Sequence, residues 1–343
     1  MPDRTKLTRR GLLGAAAAGA GALAVVNGAT GRGTSGEPTP EDLARQYPHG
    51  PLHSGARGHV DPTVNGFDPD AILTDFDPGT VTRLPGGRAL RTWEVVAQER
   101  EIQVAPGVSF SAWTYNGRVP GPTFRATESD RLRIRFTNST GHPHTMHFHG
   151  IHPSNMDGIP GSGPGGLVEP GGTFTYEFDA SPFGLHLYHC HTFPLAQHIH
   201  KGLYGAFVID PATPRPAAHE LVMVMNGFDT NFDNANEVYA VNTVGFHYLH
   251  QPIRVRQGEL VRIYLVNVLE FDPVNSFHLH ANFFHYYPTG TSLTPAEFTD
   301  TISQVQGQRG ILEVRFPYTG RFMFHAHKTE FAELGWVGLF EVT

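Results

Sequence analysis

Four stretches of this chain occur twice, in the same order. DRLRIRFTNS (130–139) is answered by ELVRIYLVNV (259–268), and TMHFHG (145–150) by FHLHAN (277–282). FGLHLYHCH (183–191) is answered by TGRFMFHAH (319–327), and YGAFVID (204–210) by WVGLFEV (336–342). Self-similarity of this kind means that one structural unit has been built twice. Each unit consists of short runs that alternate apolar and polar residues between turn signals, the pattern of a β-sandwich. With 39 glycines and 27 prolines the chain has turn residues in abundance. The expected fold class is all-β, two tandem Greek-key β-sandwiches.

The Pro/Ala-rich PATPRPAAHE (211–220) separates the copies, which places the first domain at 86–212 and the second at 213–343. Residues 30–85 contain a stretch rich in Gly, Pro, Ser and His and read as a linker and N-terminal extension. Residues 1–29 carry Arg9-Arg10 ahead of a Gly/Ala-rich apolar stretch that ends at Val26, which reads as a twin-arginine export signal. That stretch is short and weakly apolar for a membrane span. The expected location is periplasmic or extracellular, with membrane anchoring if the segment is retained. Net charge is -7 and no basic run occurs, so a nucleic-acid partner is not expected.

Histidine carries the chemistry. The chain has 21, and eight of them form four His-x-His pairs: His147/His149, His189/His191, His278/His280 and His325/His327. Side chains on a strand alternate, so both rings of each pair share one face. One such pair is ordinary packing or decoration. Four pairs at duplicated positions point to metal, and imidazole suits copper. Eight imidazoles satisfy three copper ions, one with two ligands and two with three.

Cys190, the sole cysteine, sits inside the His189/His191 pair and faces the other way. A thiolate adds the soft ligand of a blue, electron-accepting copper site. His144 and His198 complete a His2Cys set, with His200 as the alternative to His198. The weak axial ligand would fall at Leu203, which cannot ligate, so three-coordination and a raised potential are expected. In the second copy the position of Cys190 is Ala326 and that of His144 is Asn275. One blue site per chain is therefore expected, in the first domain.

HTMHFHG, HLYHCH with the later His198 and Gly202, FHLH and FMFHAH together resemble the two-domain multicopper oxidases, the small laccase-like group. The resemblance covers roughly residues 90–343 and implies cupredoxin-like domains with the type 1 copper in the first. It implies four coppers per subunit. Type 1 copper would be held by His144, Cys190 and His198, and type 2 by His147 and His278. The type 3 pair would be held by His149, His189, His191, His280, His325 and His327. It further implies a homotrimer in which the first domain of one subunit and the second domain of the next enclose each three-copper cluster.

The implied activity is one-electron oxidation of phenols or aromatic amines coupled to four-electron reduction of dioxygen to water. A carboxylate should relay protons. Asp157, in NMDGIPG, resembles the acidic residue of laccases, and Asp272 competes with it. The rival readings are a copper nitrite reductase, a cuprous oxidase and a blue copper electron carrier. Nitrite reductases have aspartate where this chain has His147 and a non-ligand where it has His191. The six methionines are not clustered, as a cuprous-ion path would want, and a carrier needs no eight-histidine array.

Overall fold

The computed structural model describes residues 59–343. The export signal expected at 1–29 lies outside them. Among the described residues no helix is long and apolar enough to cross a membrane.

The chain folds into two sandwiches of one design. In the first, Ala89–Ala105 pairs in parallel with Arg131–Asn138, which pairs antiparallel with Thr173–Asp179. The facing sheet runs Phe76–Asp77, Thr123–Thr127, Tyr204–Asp210, Gly184–His189, His147–Phe148. In the second sandwich His219–Phe228 pairs in parallel with Val261–Asn267, which pairs antiparallel with Arg309–Val314. Its facing sheet runs Ile253–Val255, Val337–Val342, Gly320–His325, Asn275–Leu279, Thr301–Gln304. The duplication read from the sequence is thus a duplication of topology, and the architecture is a tandem cupredoxin-like one.

Equivalent strands differ in burial because the sandwiches share an interface. Arg131–Asn138 buries Leu132, Ile134 and Phe136 in the first core and sends Arg131, Arg133 and Arg135 outward. There Glu177 accepts from Arg131 and Arg133 across the strand pair. Its counterpart Val261–Asn267 is buried on both faces. Ile263 and Leu265 fill the second core, while Tyr264 and Val266 enter a third apolar layer between the sandwiches. His219–Phe228 divides in the same way, with Leu221, Met223 and Met225 in the second core and Val222, Val224 and Phe228 in the shared layer. From the first sandwich that layer takes Ile102, Val104, Leu187 and Val208, among others. At its edge Arg125 pairs with both Asp210 of the first half and Glu220 of the second.

The segment read as linker departs from that reading over residues 59–85. Asp61 and Asp68 cap two short helices, Pro62–Asn65 and Pro69–Thr74, each with proline in its first turn. The same Asp-Pro signals that mark loops in a sequence serve here as helix starts. The Asn65 side chain both donates to and accepts from the Gln103 backbone, binding the segment to the first sandwich. Leu73 enters the second core, and Tyr248 donates to the Pro69 carbonyl at 2.7 Å. Thr80–Arg83 then adds a strand beside Ala89–Thr92. Part of the supposed linker is therefore a strap across both halves.

Candidate metal centres

Cys190 lies just past the strand Gly184–His189, and its thiol points into the first core. The N–H of Thr145 donates to Sγ at 3.3 Å. Two imidazoles meet the sulfur there. His198 Nδ1 is 3.2 Å from Sγ, His144 Nδ1 is 3.8 Å from it, and the two nitrogens are 3.0 Å apart. A point equidistant from the three atoms of that triangle lies about 2.0 Å from each, which is the length of a metal–imidazole bond. All three residues are buried. Burial, with the neighbouring His198 and His142, pushes the His144 imidazole down to about 3, and burial takes His198 to about 4. Both rings are therefore neutral near pH 7 and offer lone pairs. The thiol is pushed up by burial, so its proton leaves when a metal takes the thiolate.

His200 does not join this group. Its Nε2 lies 3.3 Å from the Asp229 carbonyl, and its ring packs on Phe110, Phe232 and Phe271. Leu203 is fully buried in the same core as Cys190, and its carbonyl accepts the Cys190 N–H at 2.9 Å.

The opposite face of the same strands gathers His147, His149, His189 and His191, whose ring centroids lie 5.0–5.7 Å apart. The Nε2 atoms of His149 and His189 approach to 2.9 Å. Each ring is turned by what holds its other nitrogen. His189 Nδ1 meets the Cys190 carbonyl at 2.8 Å, and His147 Nδ1 meets Asp157 through both carbonyl (2.9 Å) and carboxylate (2.8 Å). Gly158 permits the latter. It has φ 70, and a Cβ there would stand 2.0 Å from the Met146 carbonyl. His191 Nδ1 is buried with no hydrogen-bond partner, as suits a nitrogen reserved for a metal. Burial presses His149 down to about 2 and His189 to about 3. This face lines a cavity of about 250 Å³, closed on one side by Val268, Gln306 and Gly307 of the second half.

The second sandwich repeats the arrangement. His280 Nε2 lies 3.0 Å from His325 Nε2, His325 Nδ1 meets the Ala326 carbonyl at 2.7 Å, and His278 Nδ1 meets Thr301 Oγ1 at 2.7 Å. Even the support is copied. The His191 N–H donates to Thr145 Oγ1, and the His327 N–H donates to Ser276 Oγ. Among the described residues the two quartets make no ring contact with each other, and His280 and His327 are exposed.

The Cys190 triangle is not repeated. Cys190 N donates to Leu203 O and Ala326 N to Trp336 O; Leu203 N donates to His198 O and Trp336 N to Phe331 O. Phe331 and Trp336 thus occupy the places of His198 and Leu203, so the second copy has lost every ligand of the triangle. The loss of the third histidine to Phe331 was missed in the sequence, because the loops before Phe331 and His198 differ in length. Trp113 was missed too. Its ring lies 4.9 Å from His142, His144 and His198, yet it sits on a strand with no motif of its own.

The two candidate proton carriers are far apart in role. Asp157 touches His147 and also lies 3.3 Å from His152 Nε2. Asp272 instead accepts from Tyr239 (2.8 Å) and Asn236 (3.1 Å) and pairs with Lys328. It makes no contact with any of the eight paired histidines.

One thiol and two neutral imidazoles, with eight further imidazoles in paired arrays, form clusters able to coordinate copper. Comparison with known proteins agrees. The multicopper oxidase family matches residues 96–214 and, through a second signature, residues 214–343. This chain belongs to the multicopper oxidases. A solved multicopper oxidase is 63% identical, with a TM-score of 0.82, and covers 83% of this chain and 100% of its own. The copper-containing nitrite reductase of Neisseria gonorrhoeae is 29% identical over 250 residues, 67% of this chain and 62% of that protein. Copper resistance protein A of Escherichia coli is 36% identical over 175 residues, 49% of this chain and 28% of that one. The chain thus spans less than two thirds of these two relatives.

Proposed function

We propose that this multicopper oxidase is laccase-like, taking single electrons from phenols or aromatic amines and reducing dioxygen to water. The observation that carries the reading is the second histidine quartet, with its 3.0 Å His280–His325 contact that mirrors His149–His189. Two quartets are what a three-copper cluster needs; a carrier would need only the Cys190 triangle. Similarity to nitrite reductases favours the rival reading, but His147 and His191 both belong to the first quartet, where that family departs.

In this reading His144, Cys190 and His198 hold type 1 copper. His147 and His278 hold type 2, and the other six paired histidines hold the type 3 pair. Copper bound there would supply one-electron acceptance at the first site and four-electron reduction of dioxygen at the cluster. The protein supplies orientation. The Cys190, Ala326 and Asp157 carbonyls fix the ring nitrogens of His189, His325 and His147, leaving Nε2 of each ring for the metal. Asp157, against His147 and 22% exposed at its side chain, is suited to carry protons inward from water.

Each quartet supplies half of an eight-histidine site, and the second has His280 and His327 at the surface. A ring of three subunits, each presenting its second half to the first half of the next, would close eight-histidine sites by a repeating heterologous contact. Residues 1–29 are proposed to direct export by the twin-arginine route.

The test is metal content, spectra and oxygen uptake on the copper-loaded protein with a methoxyphenol donor. About four coppers per chain, a strong blue band and oxygen consumed to water support the reading. Nitrite reduction with about two coppers, or no oxygen uptake by the fully loaded protein, sinks it.

A further inference from the structure

The Cys190 triangle has almost no exposed surface of its own. His144 and Cys190 are 0% exposed and His198 is 3% exposed. Trp113 covers both imidazoles, its ring 4.9 Å from His144 at 66° and 4.9 Å from His198 at 57°. The same ring lies 4.9 Å from His142, which is exposed. The Trp113 backbone N–H donates to the Lys201 carbonyl at 2.8 Å, which ties its strand to the segment just after His198.

We infer that Trp113 is the electron conduit of the donor half-reaction, with His142 as its outer edge, where a planar aromatic donor docks. The inference rests on the reading of His144, Cys190 and His198 as a copper site. The donor loses one electron and, if a phenol, releases its proton to water at the exposed edge. The electron crosses Trp113 and reduces the cupric ion held by the triangle; no bond to the indole forms or breaks. Lys201 Nζ lies 5.7 Å from the indole, and a cation there makes removing an electron from the ring harder. Trp113 therefore couples donor to metal without itself being oxidised.

The second half shows what the position does when packing is its only task. Tyr239 stands where Trp113 does, since its N–H donates to Leu334 O just as that of Trp113 donates to Lys201 O. It lies flat on Phe331, centroids 4.0 Å apart and 17° between planes, with its hydroxyl held by Asp272. Pro273 takes the place of His142, so no imidazole continues outward. An aromatic residue is common to both copies; the path from surface to ligand exists only in the copy with the sulfur.

The experiment is anaerobic stopped-flow bleaching of the blue band by a methoxyphenol, using full-length copper-loaded protein. Trp113→Leu should bleach about tenfold or more slowly, and Trp113→Phe should recover most of the rate. Blue-band position, reduction potential and dioxygen reoxidation of pre-reduced protein should stay unchanged. His142→Ala, at an exposed position with little risk to folding, should also slow bleaching. In copper-free protein, metal titration should quench an indole emission that Trp113→Phe lacks. Wild-type bleaching in Trp113→Leu overturns the conduit alone, as does a slower rate fully explained by a lowered potential. Absence of a blue band in loaded wild type overturns the copper reading beneath it.

Discussion

Cys190 and Ala326 occupy one position in two copies of one sandwich, each donating its N–H to the carbonyl of the residue just before the returning strand, Leu203 at 2.9 Å and Trp336 at 3.2 Å. What differs is what the side chain itself meets. The sulfur faces two imidazoles, whereas the methyl group shares a core with Phe277, Phe331 and Trp336. The second copy has exchanged a metal site for aromatic packing.

Cys190→Ser should abolish the blue absorption and donor-driven oxygen uptake while leaving copper bound by the quartets. Metal analysis should show about one copper fewer per chain. Loss of all copper from the variant would contradict the separation of the two faces.

Phe331→Ala should destabilise the second sandwich by about 3–5 kcal/mol, as for a large buried aromatic ring. Phe331 is fully buried and stacked on Tyr239. Denaturant unfolding measures it; a cost below about 1 kcal/mol would mean that the core there is not close-packed.

His147→Asp should halt dioxygen reduction yet keep the blue band, since His147 lies across the strand from the sulfur and its Nδ1 is held by Asp157. Asp157→Asn should slow turnover more than it changes copper content. Oxygen uptake beside metal analysis checks both.

Copper-free protein should lose stability in acid. Burial holds His144, His149, His189 and His198 at about 3, 2, 3 and 4, below a free imidazole at about 6.5. As pH falls from about 6.5 through the folded values of about 4 to about 2, the unfolded chain binds protons that the folded one refuses, so this part of the stability is present in full above about 6.5 and lost progressively down to those values. Melting temperature should drop across the window; a flat or rising profile would contradict it.

The duplication and the paired histidines were legible because both are written locally. His-x-His declares its shared face by spacing alone, and repeated strings declare topology by order. What could not be read depends on distant partners. Trp113 acquires its role only when Val108–Tyr115 is laid beside the loop of His144 and the helix Leu195–His200. Phe331 is equivalent to His198 through a backbone hydrogen bond and not through a motif. Residues 59–85 look like loop because their helices are four and six residues long, too short to show a period. The full burial of Val261–Asn267 is equally invisible, since its second face is covered by a layer assembled from the other half.

That middle layer also restricts how the protein can move. Ile102, Leu187, Val222, Val224 and Val266 form a continuous apolar contact, and apolar cores settle into discrete packings and do not slide. The angle between the two histidine faces is therefore fixed by these side chains, none of which is a candidate ligand. In the proposed ring each subunit acts as a set square, and a change of volume at Val224 would open the site shared by its neighbours without touching a ligand.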